Sequence, residues 1–459
     1  MPFDGHRGVP FEPLRLTRDQ QQQCQDLTFQ LLDRTLRNYD EREDSVDSHS
    51  GAPKLHADLE SGRWKQLKTQ ADASLYVERT CSTWCDLNAP SDNRGKPSVL
   101  MAAGTIDGTL EEVMFGLEAP DFPAMQVRSE ALARHPLHGA VLAQLEGPTN
   151  VNPFRSMGVV WVVGERSWPL NLIVHPRDFV AVSATDIMTR ANGERIGYEV
   201  VQSIDLPQCP LPPKPTVRGK LMYATIFKER EQGGVDVYIQ MYLETQCHLF
   251  DKLSVATIWD SALGFWDAPR LSEDKKLQWC MDNKSDARWQ KALELAHKRN
   301  PAKAKHCRTC LNARNALSRH SSAHLSNHKT CALCTAQVCW SCRVKRTLKV
   351  PGEHGGKLLD LHVVLCPACL WFVQQQQPVE ISLLNKMQRE ERNTSKSSRR
   401  RFTYDCEWGV PTFSPDTRKR YPSISVSDLV RLMNSLSDIG IKQVYAAPRA
   451  VRRKTDPLH

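Results

Sequence analysis

The sequence predicts an α+β protein: a long antiparallel sheet closed by an amphipathic helix, then a small two-metal module and a basic tail. Three observations predict it. Seven stretches rich in Val, Ile, Tyr and Thr, separated by Pro, Gly and polar turns, lie between residues 98 and 243. Gln246–Leu263 follows them, with Leu249, Leu253, Ile258 and Leu263 at roughly helical spacing. Eight of the fifteen cysteines fall between Cys307 and Cys369, in four Cys-x-x-Cys pairs.

Taken in order, residues 1–19 are rich in Pro, Gly and charge and form a loose start. Leu27, Phe29, Leu31, Leu32 and Leu36 suit a short helix over Gln20–Asn38. Asp40–Ser50 is acidic and Ser-rich, as a surface linker would be, and a helix is expected around Trp64. Strands are expected near Ser98–Asp107, Gly139–Leu145, Gly158–Val163, Phe179–Ala184, Ile196–Ile204, Thr216–Lys228 and Val235–Leu243. Between the first two lies Thr109–Leu117, a helix with Thr109 near its start and Glu111 and Glu112 in its first turn, where carboxylates suit the helix dipole. A charged stretch, Glu273–Lys305, leads to the cysteines. The domain reading is 1–54 for an N-terminal helix and linker, 55–275 for the sheet domain, 276–300 for a charged connector, 301–373 for the cysteine module and 374–459 for a largely disordered basic tail.

A chain of 459 residues, 40% hydrophobic and 25% charged, holds two or three domains with sizeable cores. No apolar run approaches the ~18 residues of a spanning helix, and the first twenty residues hold Asp4, Arg7, Glu12 and Arg15 without an apolar block. These facts exclude integral membrane, collagen-like and wholly disordered classes, and the expectation is a soluble, cytoplasmic protein. The net charge of +9 divides as −7 over residues 1–300, +8 over 301–385 and +8 over 386–459. The basic third suits an anionic partner or a solvated tail.

The pairs are Cys307/Cys310, Cys331/Cys334, Cys339/Cys342 and Cys366/Cys369, separated by 20, 4 and 23 residues. With no secretory signal, paired thiols point to metal rather than disulfides. Zinc takes four tetrahedral ligands, and two residues between cysteines let one tight turn present both sulfurs. Eight thiolates make two closed sites, so two structural zinc ions are expected. His306, His320, His324 and His328 are read as loop residues near the metal.

A long antiparallel sheet with a helix across one face either fills its core or, if strongly curved, leaves an apolar cavity. Four stretches bear on the choice: Val99–Leu117 (VLMAAGTIDGTLEEVMFGL), Pro176–Ile187 (PRDFVAVSATDI), Ile196–Pro207 (IGYEVVQSIDLP) and Pro215–Gly219 (PTVRG). In this order they resemble the START domain, a lipid-binding helix-grip fold of curved antiparallel sheet and long C-terminal helix. The resemblance implies a lipid or sterol held under that helix. Arg177 and Asp178 are read as an exposed or structural ion pair rather than a ligand anchor.

The cysteine spacing, with Val338 before Cys339, resembles a FYVE-type zinc finger over residues 301–373. That resemblance implies a cross-brace in which Cys307, Cys310, Cys339 and Cys342 hold one zinc and Cys331, Cys334, Cys366 and Cys369 the other. It also implies contact with an anionic membrane surface or phosphoinositide. The family's basic run is here Asn327-His328-Lys329-Thr330-Cys331-Ala332, with only His328 and Lys329 to face phosphate, and its Trp-x-x-Asp entry is replaced by Ala302–His306. Specific recognition needs several convergent cations. The expectation is therefore weak, charge-driven lipid contact, to which Arg343, Lys345 and Arg346 add a diffuse patch.

Leu370–Val373 is expected to pack a short helix on the finger, and Asp428–Leu436 to form a small one. Ser395–Arg401, Arg418–Arg420 and Arg452–Lys454 are basic clusters. No Gly-x-Ser-x-Gly elbow, phosphate-cradling Gly loop or His-Glu-x-x-His helix occurs in the sequence, and no base-reading element for nucleic acid. The reading is a non-catalytic lipid-binding adaptor, peripheral on endosomal or other membranes, whose finger contacts membrane or protein. The alternative is an enzyme, a ubiquitin ligase with a RING-like finger.

Overall fold

The computed structural model describes residues 10–11, 14–44, 64–70, 72–78, 98–133, 137–164, 177–212, 216–243, 258–285, 290–291, 307, 309, 329–352 and 358–404. The chain forms two units, Met1–Asn393 and Thr394–His459. In the second, only the helical residues 394–404 are described.

Branched and aromatic residues in alternation build a ten-stranded sheet. Its strands are β1 (Trp64–Gln70), β2 (Ala73–Glu78), β3 (Ser98–Ile106), β4 (His138–Glu146), β5 (Ser156–Gly164), β6 (Arg177–Thr189), β7 (Arg195–Ser203), β8 (Val217–Arg218), β9 (Met222–Glu229) and β10 (Val235–Leu243). The order is β1-β2-β3-β10-β9-β7-β6-β5-β4, antiparallel throughout, and β8 joins β6 in parallel. The expected strand over Thr216–Lys228 is thus two strands: β8 pairs with β6, whereas β9 pairs with β7 and β10. The β9–β10 hairpin turns at Gly233 and Gly234, whose φ values of +92° and +81° suit residues without a Cβ. Arg230 N donates to Gly234 O at 3.0 Å and closes that turn. Both outer strands are irregular. β1 bulges between Gln66 and Lys68, and β4 between Val141 and Ala143 and again between Gln144 and Glu146. The helix expected around Trp64 is strand β1 instead. Only Trp64 of its seven residues is buried, so it carries no period to read.

Helix α1 (Arg18–Asp44) covers one face of the sheet. Leu31, Leu32 and Tyr39 pack with Tyr76, Val99 and Ile226, while Cys24 packs with Trp161 and Val182. The helix runs through the start of the acidic stretch expected as a linker. Asp40 receives both guanidinium nitrogens of Arg190, at 2.6 and 2.8 Å, and Tyr39 Oη donates to Asp236 at 3.0 Å. At Asp40 the acidity serves pairing.

The opposite face carries α2 (Leu110–Leu117), α3 (Phe122–Arg128) and α4 (Ala268–Asp282), the last preceded by helical residues 258–263 and the short 3₁₀ turn Gly264–Asp267. Thr109 caps α2 in a reciprocal box: its Oγ1 accepts from Glu112 N at 3.2 Å, and its own N donates to Glu112 Oε2 at 3.3 Å. α2 meets α4 backbone to backbone at Gly116, where a Cβ would stand 2.1 Å from the carbonyl oxygen of Ala268. Gly116→Ala is therefore expected to cost about 1–3 kcal/mol, as overpacking does, lowering the thermal midpoint; an unchanged midpoint would show that the helices part freely.

The terminal helix begins within the expected segment, of which residues 246–257 lie outside the described ones, and ends at Asp282. Glu273–Asp282, read from sequence as part of a charged connector, is helical. Its charges have partners on other elements: Lys276 Nζ lies 2.8 Å from Glu112, and Lys275 Nζ donates to the carbonyls of Phe115, Gly116 and Glu118 at 2.6–2.9 Å, closing the C-terminus of α2.

The cysteine-rich part holds two small hairpins, β11 (Lys329–Thr330) with β12 (Gln337–Val338) and β13 (Val344–Pro351) with β14 (Leu358–Leu365), then α5 (Pro367–Gln374). As expected, the Leu370–Val373 stretch is helical, with Phe372 and Val373 buried. The tail reading needs correction. Pro378–Tyr404 is a 27-residue helix, α6, whose Ile381 and Ser382 are buried. Its Leu, Glu, Lys and Arg are good helix formers, and Ile381 joins the apolar core with Val379 packed against it. Asp428–Leu436 lies outside the described residues.

Candidate functional site

Two groups of thiols converge. Cys331, Cys334, Cys366 and Cys369 have sulfurs all within 4.8 Å of one another, and so do Cys307, Cys339 and Cys342. Cys310 lies outside the described residues. The local chain explains the first group. Cys331–Cys334 sits in a turn closed by Thr335 N donating to Cys331 O at 3.0 Å, with Thr335 itself at φ +58°. Cys366 stands at the N-cap of α5 and accepts from Cys369 N at 3.4 Å, so the first helical turn presents both sulfurs together. Backbone amides also point at sulfur from Cys366 N to Cys331 and from Cys339 N to Cys307, each at 3.4 Å. Ser341 lies 3.2 Å from Cys339 Sγ and holds that thiol down at about 6.

The donor set fits a tetrahedral thiophilic ion. With metal–sulfur bonds of about 2.3 Å a tetrahedron has edges of about 3.8 Å, and Cys334 Sγ lies 3.8 Å from Cys366 Sγ. Four thiolates in one group leave no place for a water ligand. Outside the two groups, burial raises the thiols of Cys24, Cys209 and Cys280, the last to about 12.

The expected cationic contacts separate. His328 lies outside the described residues, and Lys329 is placed by its backbone pairing with Val338. Arg343 and Lys345 gather round Trp340, the guanidinium carbon 3.8 Å and the ammonium 4.4 Å from the ring centroid. Trp340 is 63% exposed. Arg346 is turned away, paired with Glu273 of α4 at 2.5 Å. Sequence reasoning passed over Trp340; its signal was an aromatic between paired cysteines, Cys339-Trp340-Ser341-Cys342.

Asp178 and Glu199 each centre a buried charge network in the sheet domain. Asp178 is 1% exposed and bound by Arg218 through Nε at 2.9 Å and Nη2 at 3.0 Å, with Trp161 Nε1 donating at 3.1 Å. The partner is thus Arg218 rather than neighbouring Arg177. On the face bearing α4, Arg128 pairs with Glu199 at 2.7 Å, Tyr223 Oη donates to Glu199 at 2.5 Å, and the Arg128 guanidinium lies 5.8 Å from the Phe265 ring centroid. Burial and Glu199 push the Tyr223 hydroxyl well above its usual range.

On α4, burial raises the Asp274 carboxyl to about 6, against the pull of Arg270 and Arg346. A carboxyl raised in the folded state weakens the fold as pH rises from about 4 through 6, and the cost stays constant above. Asp274→Asn is expected to stabilise at pH 7 by about 1 kcal/mol, allowing for solvent screening, and to be neutral at pH 4. Urea unfolding at both pH values checks this; equal effects at both would remove titration as the cause.

No protein-family model matches the chain, and no curated protein matches it. Among solved structures it is similar to human StAR-related lipid transfer protein 5, at 13% identity and TM-score 0.37, covering 55% of this chain and 98% of that one. It is also similar to human STARD10, at 12% and 0.32 over 51% and 84%. A STAR-related lipid transfer protein of Xanthomonas axonopodis matches at 14% and 0.31 over 45% and 99%. Among the described residues no helix is long and apolar enough to cross a membrane.

Proposed function

We propose that the chain is a non-catalytic lipid-binding protein. A START-like domain over residues 55–275 holds an apolar ligand between sheet and helices, and a finger over residues 301–373 is held by two structural zinc ions. The observation that carries the ligand reading is a strip of apolar side chains on the face bearing α3 and α4, beside the main core. Register sets Val141, Val160 and Ala181 in one row across β4, β5 and β6, beside Val201 on β7 and Tyr223 on β9. Every residue of β4 is half-buried except exposed Gln144. Such a surface, met by Met125 of α3, suits a chain or ring of hydrocarbon.

In the finger, Cys331, Cys334, Cys366 and Cys369 hold one zinc; Cys307, Cys339 and Cys342 hold the other, with Cys310 as fourth ligand by position. The metal supplies cross-linking and no chemistry, as closed thiolate sites do. Trp340 with Arg343 and Lys345 suits the interface of an anionic membrane, where each cation contributes about 1 kcal/mol. The ligand reading is tested by titrating the full chain with a fluorescent sterol and a fluorescent phospholipid. Binding is expected, and Val141→Glu is expected to weaken it at least tenfold with little change in the thermal midpoint. Equal affinity in the variant would move the ligand away from this strip, and no binding of either probe would end the reading.

A further inference from the structure

Finger and sheet domain share one core, and the chain after the finger returns to the sheet domain. We propose that the finger and α6 together form a clamp on α4, so that metal occupancy sets how firmly that helix closes over the sheet. The consequence for lipid exchange rests on the ligand reading above; the clamp itself does not.

Three independent contacts make it. Leu271, Leu277 and Cys280 of α4 belong to the same contiguous apolar cluster as Cys369, Phe372 and Val373. Glu273 of α4 is gripped from two finger elements: Arg346 of β13 donates at 2.5 and 3.2 Å, and Gln374 of α5 at 2.9 Å. From beyond the finger, the Ser382 hydroxyl of α6 lies 3.2 Å from Glu118 and 3.1 Å from Pro153 O, with its one proton to give to either, and Arg389 lies 3.6 Å from Glu118. Glu118 directly follows α2, whose terminal carbonyls are held by Lys275 of α4. The helix over the sheet is therefore fastened at Glu273 by the finger, and its partner α2 is fastened at Glu118 by α6.

The coupling has a physical source. Among the finger's described strands two have two residues and two have eight, too little to bury a core alone. Metal binding is then folding free energy. Because cysteine sulfurs and α4 side chains lie in one packed cluster, part of that free energy is spent on α4, and any ligand that α4 covers must by linkage shift the metal affinity in return.

The test uses the full chain, zinc-loaded and after zinc removal by a high-affinity chelator. Hydrogen–deuterium exchange is followed at residues 268–282 and 329–374, and release of a fluorescent sterol or phospholipid to acceptor vesicles is timed in both states. The clamp predicts that chelation speeds exchange at 268–282 at least tenfold along with 329–374, and speeds lipid release similarly. Glu273→Ala is expected to speed exchange at 268–282 about threefold while native mass spectrometry still counts the full zinc complement; Gln374→Ala, which removes one contact only, serves if that variant misfolds. Faster exchange confined to 329–374, with 268–282 unchanged by chelation, overturns the clamp. Coupled exchange without binding of either lipid in either state supports the clamp and overturns the ligand reading instead.

Discussion

Replacing Cys366 by serine is expected to unfold residues 329–374 and to remove at least one metal ion per chain. Cys366 does three things at once. Its sulfur belongs to the four-thiol group, that sulfur caps α5 by accepting from Cys369 N, and its own N–H points at Cys331 Sγ. Structural zinc in finger peptides contributes about 10–16 kcal/mol, as much as the whole stability of an ordinary domain, about 5–15 kcal/mol. Loss of one thiolate therefore leaves the finger without a net reason to fold. Native mass spectrometry counts the metal, and limited proteolysis locates the unfolding. Cys24→Ser, a buried cysteine of α1 outside both groups and outside the cluster that joins finger and α4, is the control and should keep full metal content. Full metal content in Cys366→Ser would remove Cys366 from the ligands, and no metal in the unaltered chain would show that the cysteines are reduced, unliganded thiols.

Arg218→Ala is expected to destabilise the sheet domain by about 3–5 kcal/mol, the cost of leaving a buried charge unpaired. Among the described residues Asp178 would keep only the Trp161 donor, in a position 1% exposed. Arg218 also donates to Cys209 O at 3.3 Å and Pro210 O at 3.0 Å, so the variant further loosens the chain leading to β8. Denaturant unfolding measures the loss. The pair Asp178→Asn with Arg218→Ala should recover part of it, because the uncompensated charge is then gone. A single-variant cost under 1 kcal/mol would mean that water reaches Asp178 and the pair is a surface one.

Strongly alternating segments were legible. Val235–Leu243 is a strand as read, and Thr109 starts its helix, because alternation and capping are local chemistry. The four Cys-x-x-Cys pairs were legible from spacing as a metal-binding pattern, whereas which pairs meet was an implication of the family resemblance. Less was legible wherever a side chain's meaning depends on a distant partner. Glu273–Asp282 looked like linker because Glu273, Lys275 and Lys276 are charged, yet each charge is met by an element far away in sequence. Arg346 looked like part of a cationic patch beside Arg343 and Lys345, and only the fold turns it to Glu273. Trp64 and the six exposed residues after it gave no period, since an edge strand with one buried residue resembles any polar segment.

The irregular outer strands limit what else the sheet can join. An edge is a row of open N–H and C=O groups that invites a further strand from another chain. Here β1 breaks its register at Gln66/Lys68 and carries exposed Lys65 and Lys68, while β4 breaks register twice within nine residues. A bulge twists the strand and misaligns its ladder, and a lysine entering a growing sheet would bury its charge. Growth by strand addition is thus opposed at both outer strands, so self-assembly through the sheet is disfavoured. At high concentration this chain is expected to resist fibrous association through its largest hydrogen-bonded surface.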